Sequence, residues 1–313
     1  QPLPAELAAL LTHLLTAAPT PAEVSSAAAW GSQHQAHASA FTCPIARAVV
    51  GGFAADRLGY AFAAGYTEAL HQLLPALGQT RAALAATEAG GVHPRAIQAQ
   101  LTAAPAGLLL SGDKTFVTLG TQATELLIVA SEGLDADGRN RLALCRIPAT
   151  RPGVTFKELP ATPFAPEIPH AALQLRQVAV ADSERLPGDA YERYLKPFRT
   201  VEDLHVYAAL LGWLLQVARC AAWPQPRQQE LVLLITAARR LGPEPADDPT
   251  LHVALGGLLA GCQRFLGEVE PLWQQVEPTT RARWERDRPL LQVAGKARAQ
   301  RLEVAWERVS ALS

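Results

Sequence analysis

The stretch ATEAGGVHPRAIQAQLTAAPAGLLLSGDKTFVTLGTQATELLIVAS, residues 86–131, decides how the rest of the chain is read. It breaks into short apolar segments separated by turn residues. Leu108, Leu109 and Leu110 run into Ser111-Gly112-Asp113, and Thr115 to Thr118 follow, which predicts two strands around a tight turn. Leu126 to Ala130 is an unbroken apolar run of strand length. Asp135-Ala136-Asp137-Gly138 reads as a turn, Leu142 and Leu144 alternate with their neighbours, and Val154 and Phe156 alternate after Pro152-Gly153. Leu173 and Leu175 alternate with Gln174 and Arg176, then the phase slips at Gln177 before Val178 and Val180. A slip of one residue inside an alternating run predicts a β-bulge. Residues 83–188 are thus expected to form a central, mostly antiparallel β domain.

On either side the pattern is helical. Residues 1–82 are rich in Ala and Leu, and Phe62, Tyr66, Leu70 and Leu73 fall at helical spacing, giving an N-terminal helical domain. Ala18-Pro19-Thr20-Pro21 and Thr42-Cys43-Pro44 are breaks between its helices. Residues 189–313 form a C-terminal helical bundle, with Trp223-Pro224-Gln225-Pro226 and Gly242-Pro243-Glu244-Pro245 as loops. Leu291, Ala294, Arg298, Leu302, Ala305, Val309 and Leu312 make one helical face, interrupted only by Arg298. The fold class expected is α+β, in the order helices, β domain, helices.

Composition excludes several functions. Hydrophobic residues make up 49% of the 313 and charged residues 18%, enough apolar material for a packed core and too much for disorder. The formal net charge is -1, with no basic block, so nucleic acid is not an expected partner. Of the 28 basic residues 24 are Arg and 4 are Lys, and methionine is absent. No apolar run reaches the roughly 18 residues of a membrane span, and the first residues lack the basic start and cleavage site of a signal peptide. Cys43, Cys145, Cys220 and Cys262 are scattered without a Cys-x-x-Cys pair, which points to buried thiols in a reducing, cytoplasmic setting.

The common catalytic motifs are missing. The chain has no Gly-x-Gly-x-x-Gly, no Walker-type phosphate loop and no Gly-x-Ser-x-Gly elbow. His34 and His37 lie three apart with no third ligand near them in sequence, so no metal site is expected.

What the stretch does contain is Thr87-Glu88-Ala89-Gly90-Gly91, followed by Gly112-Asp113-Lys114-Thr115-Phe116-Val117-Thr118-Leu119-Gly120. The pair resembles the acyl-CoA dehydrogenase superfamily of flavoproteins. Its pattern is Thr-Glu-Pro-Gly-Ala-Gly-Ser-Asp, then a Gly-x-Lys turn and an aromatic-x-Thr segment ending in Asn-Gly. The resemblance covers about residues 45–305 and implies the same helix, sheet, helix architecture, with FAD as cofactor. It implies polar flavin contacts from Thr87 and Thr118, a ring wall from Phe116 in place of the usual Trp, and backbone approach to the pyrophosphate at Gly90 and Gly91. Val92 stands where the family has its Ser. A flavin needs an aromatic or apolar wall on one face and hydrogen-bond partners along its polar edge, and these residue types suit both needs.

The reaction implied is oxidation of the CH–CH group of an acyl-CoA or similar thioester, by α-proton abstraction and hydride transfer to flavin N5. An electron-transfer acceptor and a homodimer or homotetramer come with the resemblance. The late loop that carries the carboxylate base in most members is absent from this sequence, as are the Gln-x-x-Gly-Gly and Arg-x-x-Phe-Gly motifs. A minority of members place the base at the start of the first C-terminal helix, which falls on Glu202 here. The competing reading of Thr200-Val201-Glu202-Asp203 is a capping box with Thr200 as N-cap, in which Glu202 is a first-turn carboxylate. Arg199 is expected to pair with Glu202 or Asp203 in preference to a phosphate, and Lys296 resembles a lysine common in the family's last helices, with a solvated helix face as the alternative. The loop Pro163-Phe164-Ala165-Pro166-Glu167-Ile168-Pro169-His170 is expected to pack or to line a pocket. A catalytically silent protein of the same fold, acting as a binding or assembly module, is the alternative function.

Overall fold

The structure is a computed structural model that describes residues 5–105 and 107–311. The chain divides into two compact units. One is helical and takes residues up to Gln72, Thr162–Glu167 and everything from Thr200 on; the other takes Leu73–Ala161 and Ile168–Arg199 and holds the sheet.

The helices are α1 (Ala5–Thr16), α2 (Ala27–Ala38), α3 (Pro44–Ala54), α4 (Leu58–Leu73), α5 (Lys196–Cys220), α6 (Gln225–Leu241), α7 (Pro249–Glu268), α8 (Pro278–Asp287) and α9 (Gly295–Ser310). Local chemistry sets their starts. The Ser26 hydroxyl caps α2 by accepting from the Ala29 amide at 3.2 Å, and Pro44 opens α3 at a position where a missing N–H costs nothing. The break expected at residues 18–21 falls between α1 and α2, and that at 42–44 leads into the start of α3. Helix α4 is buried on nearly every face, so the stripe from Phe62 to Leu73 is only part of what it packs. Glycines let α5 run unusually close to α3: a Cβ on Gly52 would lie 1.8 Å from the Ala209 carbonyl oxygen, and one on Gly212 would lie 2.1 Å from that of Val49.

Three expectations for the C-terminal helices need correction. Helix α5 starts at Lys196, directly after a π-helical turn over Tyr191–Leu195, so Thr200 lies inside the helix and caps nothing. Its hydroxyl sits 3.3 Å from His252 Nε2. Asp203 pairs with Arg298 and Arg301 and leaves Arg199 out. The face from Leu291 onward is not one helix, because a 3-10 segment over Arg288–Gln292 precedes α9; Leu312 lies outside the described residues. Arg298 breaks the apolar pattern because it turns inward to Asp203. Lys296 is exposed, in line with the solvated-face alternative.

Among the described residues the sheet has seven strands: β1 (Ala82–Ala85), β2 (Gln100–Ala104), β3 (Gly107–Thr118), β4 (Glu125–Leu134), β5 (Asn140–Pro148), β6 (Val154–Glu158) and β7 (His170–Val180). The order is β1-β4-β2-β3-β7-β6, with β5 also on β4. Pairing is antiparallel except for β1 with β4 and the single pair Gln100–Ser131 between β2 and β4. Strand β4 is buried from Leu126 to Ala130, which explains its unbroken apolar run. The bulge at Gln177 is present: Ser111 faces both Arg176 and Gln177, and Gln177 takes a φ of 51°.

The tight turn expected at Ser111-Gly112-Asp113 does not form, and β3 runs straight through it. Gly112 serves close approach instead, since a Cβ there would meet the Ala99 Cα at 2.6 Å. Two cysteines, Cys145 and Cys262, are buried, Cys43 is half-buried and Cys220 is exposed; all four are free thiols. Among the described residues no helix is long and apolar enough to cross a membrane.

Candidate functional site

Of the sequence-predicted residues in 86–131, Thr87, Phe116 and Thr118 share one face of the sheet unit. Two bulges shape that face. Beyond the one in β7, the ladder between β3 and β7 slips a second time between Lys114 and Val117, where Thr115 and Phe116 together face Ala172. The slip turns Lys114 and Val117 into the core, while Phe116 stays 40% exposed and Thr118 half-buried. Thr87 lies beside Phe116, joined by an isolated antiparallel bridge, and its carbonyl accepts from the Thr115 amide at 2.9 Å. Strand β3 ends at Leu119 in a left-handed conformation (φ 57°), with its amide donating to the Pro169 carbonyl at 2.9 Å. The sequence pattern has Asn at this position in the family, a residue that tolerates such a φ far better than Leu.

A buried ion pair holds the two halves of the motif together. The Lys114 ammonium donates to Glu88 Oε1 at 2.6 Å, and the same carboxylate accepts from the amides of Gln98 (2.7 Å) and Ala99 (3.1 Å). The Lys114 side chain is fully buried, and burial pulls its pKa down against the opposing pull of Glu88. This pair escaped the sequence reading, because the two charges lie 26 residues apart and no local pattern joins them. After Glu88 the chain makes a tight turn. Glu88 and Gly91 exchange backbone hydrogen bonds of 3.1 and 2.8 Å, and Gly91 takes a φ of 97°. The Gly91 amide is therefore used within the turn, while the Gly90 amide has no protein partner among the described residues.

The hydroxyls of Thr87 and Thr118 have no hydrogen-bond partner among the described residues. The Phe116 ring is covered on one side by His170, stacked at 4.2 Å between centroids with a 25° tilt. His170 stands opposite Thr118 in the ladder. No signal in the sequence joins His170 to Phe116, because the contact depends on both bulges.

Glu202 lies in α5 of the helical unit and is half-buried. Its carboxyl has no hydrogen-bond or ion-pair partner among the described residues. Burial pushes it up to about 7, the neighbouring Asp203 charge adds to the rise, and Arg298 opposes it. A free carboxylate titrating near neutrality can take up a proton, as an N-cap carboxylate with its depressed pKa does not.

Elsewhere in the helical unit, His34 Nε2 meets Glu68 Oε1 at 2.8 Å in a buried cluster with Arg47 and His71, and His37 is exposed. Among the described residues no group of three His, Cys, Asp or Glu is arranged to hold a metal. Glu167 and the loop around it are held in the same unit: Asp287 accepts from the Ala165 amide at 2.7 Å, and Arg286 reaches both Asp287 and Glu167. A cavity of about 310 Å³ lies among α5, α7 and α9, with Tyr207, Gln263 and Arg298 on its polar side and Leu255, Leu259 and Leu302 on its apolar side. Glu202 does not line it.

The fold, with helices before and after a mixed sheet in the chain, is acyl-CoA dehydrogenase-like. PigA, solved in its apo form, superposes with a TM-score of 0.68 at 13% identity over 99% of each chain. Butyryl-CoA dehydrogenase from Megasphaera elsdenii gives 0.67 at 15% identity, covering 98% of this chain and 99% of that one. Glutaryl-coenzyme A dehydrogenase in its glutaryl-CoA complex gives 0.61 at 16% identity, covering 94% and 92%. No family model matches the sequence, and no curated protein matches it. The likeness is therefore one of fold, and it bears out the architecture expected from residues 86–131.

Proposed function

We propose that this chain is an FAD-dependent oxidoreductase that acts on the CH–CH group of an acyl thioester. The observation that carries the reading is the sheet face on which Thr87, Phe116 and Thr118 come together, with two partnerless hydroxyls beside an exposed aromatic ring. Such a face suits a flat heteroaromatic ring with a polar edge. A Cβ placed on Gly91 would meet nothing within 4 Å, so the turn that follows Thr87 leaves open space beside it. Fold neighbours add support: PigA has been solved with FAD and proline, and glutaryl-coenzyme A dehydrogenase with glutaryl-CoA.

In this reading Phe116 forms the ring wall, and Thr87 and Thr118 bind the polar edge. The turn at Gly90 and Gly91 meets the pyrophosphate through the Gly90 amide. Bound FAD supplies the hydride acceptor for the substrate β-carbon. Glu202 takes the α-proton onto a carboxylate oxygen. A pKa of about 7 sets a balance between a basic carboxylate and the fraction ionised, and it makes turnover rise as pH climbs through neutrality. The Glu88–Lys114 pair does no chemistry and holds Thr87 in register with Phe116.

The test is FAD uptake by the purified chain, followed by absorbance and fluorescence. Stoichiometric uptake that Thr118→Val weakens is the expected result. A chain that stays colourless with excess FAD refutes the proposal and leaves the fold as a binding or assembly scaffold. Once an oxidisable thioester is found, Glu202→Gln is expected to lower kcat by at least about a hundredfold, the typical contribution of a positioned base. Unchanged turnover would remove Glu202 from the reaction.

A further inference from the structure

His170 lies on this sheet face without a role from the motif. Its ring lies flat on Phe116 at 4.2 Å and sits across the ladder from Thr118. Its Nδ1 is buried and has no hydrogen-bond partner. Nε2 also lacks a partner among the described residues, but it keeps access to the outside. Burying a ring nitrogen without a partner costs free energy, and a buried N–H left unpaired costs at least as much as a buried lone pair. A neutral ring with the proton on Nε2 meets both conditions, and it presents one N–H donor at the open edge of the face.

From this geometry we infer that His170 is a cofactor-binding residue, which donates from Nε2 to an acceptor on the edge of the flavin while its ring braces Phe116. The inference rests on the FAD reading above and adds to it a donor that the motif does not contain. Thr87 and Thr118 hydroxyls can donate or accept and adapt to either kind of edge atom; the His170 N–H is fixed as a donor and so selects for an acceptor at its position. Burial lowers the imidazole pKa, which keeps the ring neutral and its donor count at one around pH 7. The face then combines an aromatic wall, two adaptable hydroxyls and one directional N–H.

Two substitutions separate the donor from the ring. His170→Phe keeps a ring on Phe116 and removes the N–H; His170→Gln removes the ring but carries an amide N–H at about the same reach. FAD is titrated into each variant and into the wild-type chain, with flavin fluorescence giving the dissociation constant and the long-wavelength absorption band reporting on hydrogen bonding to the ring. His170→Phe is expected to weaken FAD binding by about tenfold, the scale of one hydrogen bond, and to move the band; His170→Gln is expected to recover most of both. Circular dichroism and unfolding curves establish that the variants are folded. If His170→Phe binds FAD as tightly as wild type with an unchanged band, while Thr118→Val weakens it, the FAD reading stands and the role of His170 is overturned. If His170→Gln is no better than His170→Phe, a donor at that reach does not restore binding, and the inference is again wrong. A wild-type chain that takes up no FAD overturns both.

Discussion

Lys114→Met puts the buried link between the two motif halves to the sharpest test. The substitution keeps most of the side-chain volume and removes the ammonium that sits 2.6 Å from Glu88 Oε1 with no solvent contact. Breaking a buried pair from one side costs about 3–5 kcal/mol, because a charge is left behind without compensation. Glu88 is not wholly abandoned, since the Gln98 and Ala99 amides still donate to it at 2.7 and 3.1 Å. The expected loss is therefore at the low end, about 3 kcal/mol. Glu88→Gln should cost a similar amount, as it strands the ammonium among apolar neighbours. The double change Glu88→Gln with Lys114→Met strands no charge and should cost well under the sum, with a coupling of at least about 2 kcal/mol. Urea unfolding of the four proteins, followed by a probe of the sheet unit, measures the cycle. If the single losses add to within about 0.5 kcal/mol, the two side chains are energetically independent and the pair does not hold the site together. FAD uptake should fall along with stability in the single variants and partly return in the double variant.

Gly52→Ala forces a methyl group to within 1.8 Å of the Ala209 carbonyl oxygen, a backbone atom that cannot step aside, so a loss of at least about 3 kcal/mol in denaturant unfolding is expected. Wild-type stability would show that α3 and α5 are not so closely packed. Glu202 gives stability a pH dependence of definite sign. Its folded pKa of about 7 lies above the ordinary carboxylate value of 4.5, so between those limits the folded chain binds more protons than the unfolded one. Stability should therefore fall as pH rises from 4.5 to 7 and level off above, and Glu202→Gln should remove that slope, with a gain on the order of 1 kcal/mol at pH 8. A steeper slope in the variant would refute the assignment. Exposed Cys220 should react first with a thiol reagent in the native chain, while Cys145 and Cys262, each pushed up to about 12 by burial, should react only after unfolding; early labelling of either buried thiol would contradict the packing.

Much of the fold was legible because alternation is a local signal. The slip at Gln177 shows in sequence because apolar residues flank it at the right parity on both sides. The second bulge does not, because Thr115 and Phe116 are both exposed and displace no apolar residue from its place. Gly112 misled the reading in a different way. Ser-Gly-Asp is turn composition, yet the glycine is there for the backbone of Ala99, a contact no local pattern carries. Thr200 failed as a cap because the π-helical turn before Lys196 already opens the helix. At the site, Thr87, Phe116 and Thr118 were readable from one stretch. His170 was not, since it reaches Phe116 from a strand that begins 54 residues later.

Neither unit is a continuous piece of chain. The helical unit gathers residues from the beginning, the six residues Thr162–Glu167, and the last third, with the sheet unit built from what lies between. During synthesis the N-terminal helices therefore emerge long before α5, the helix against which Gly52 and Gly65 are shaped. Until Ala209 and Val206 leave the ribosome, those glycine-lined surfaces have nothing to close on, and closure across such sequence distances is slow. Removing the C-terminal helices to isolate the sheet unit would leave Thr162–Glu167 without Asp287 to hold it. The nascent protein thus spends much of its birth as half-finished helices waiting for their partner, a stage at which chaperones have the most to protect.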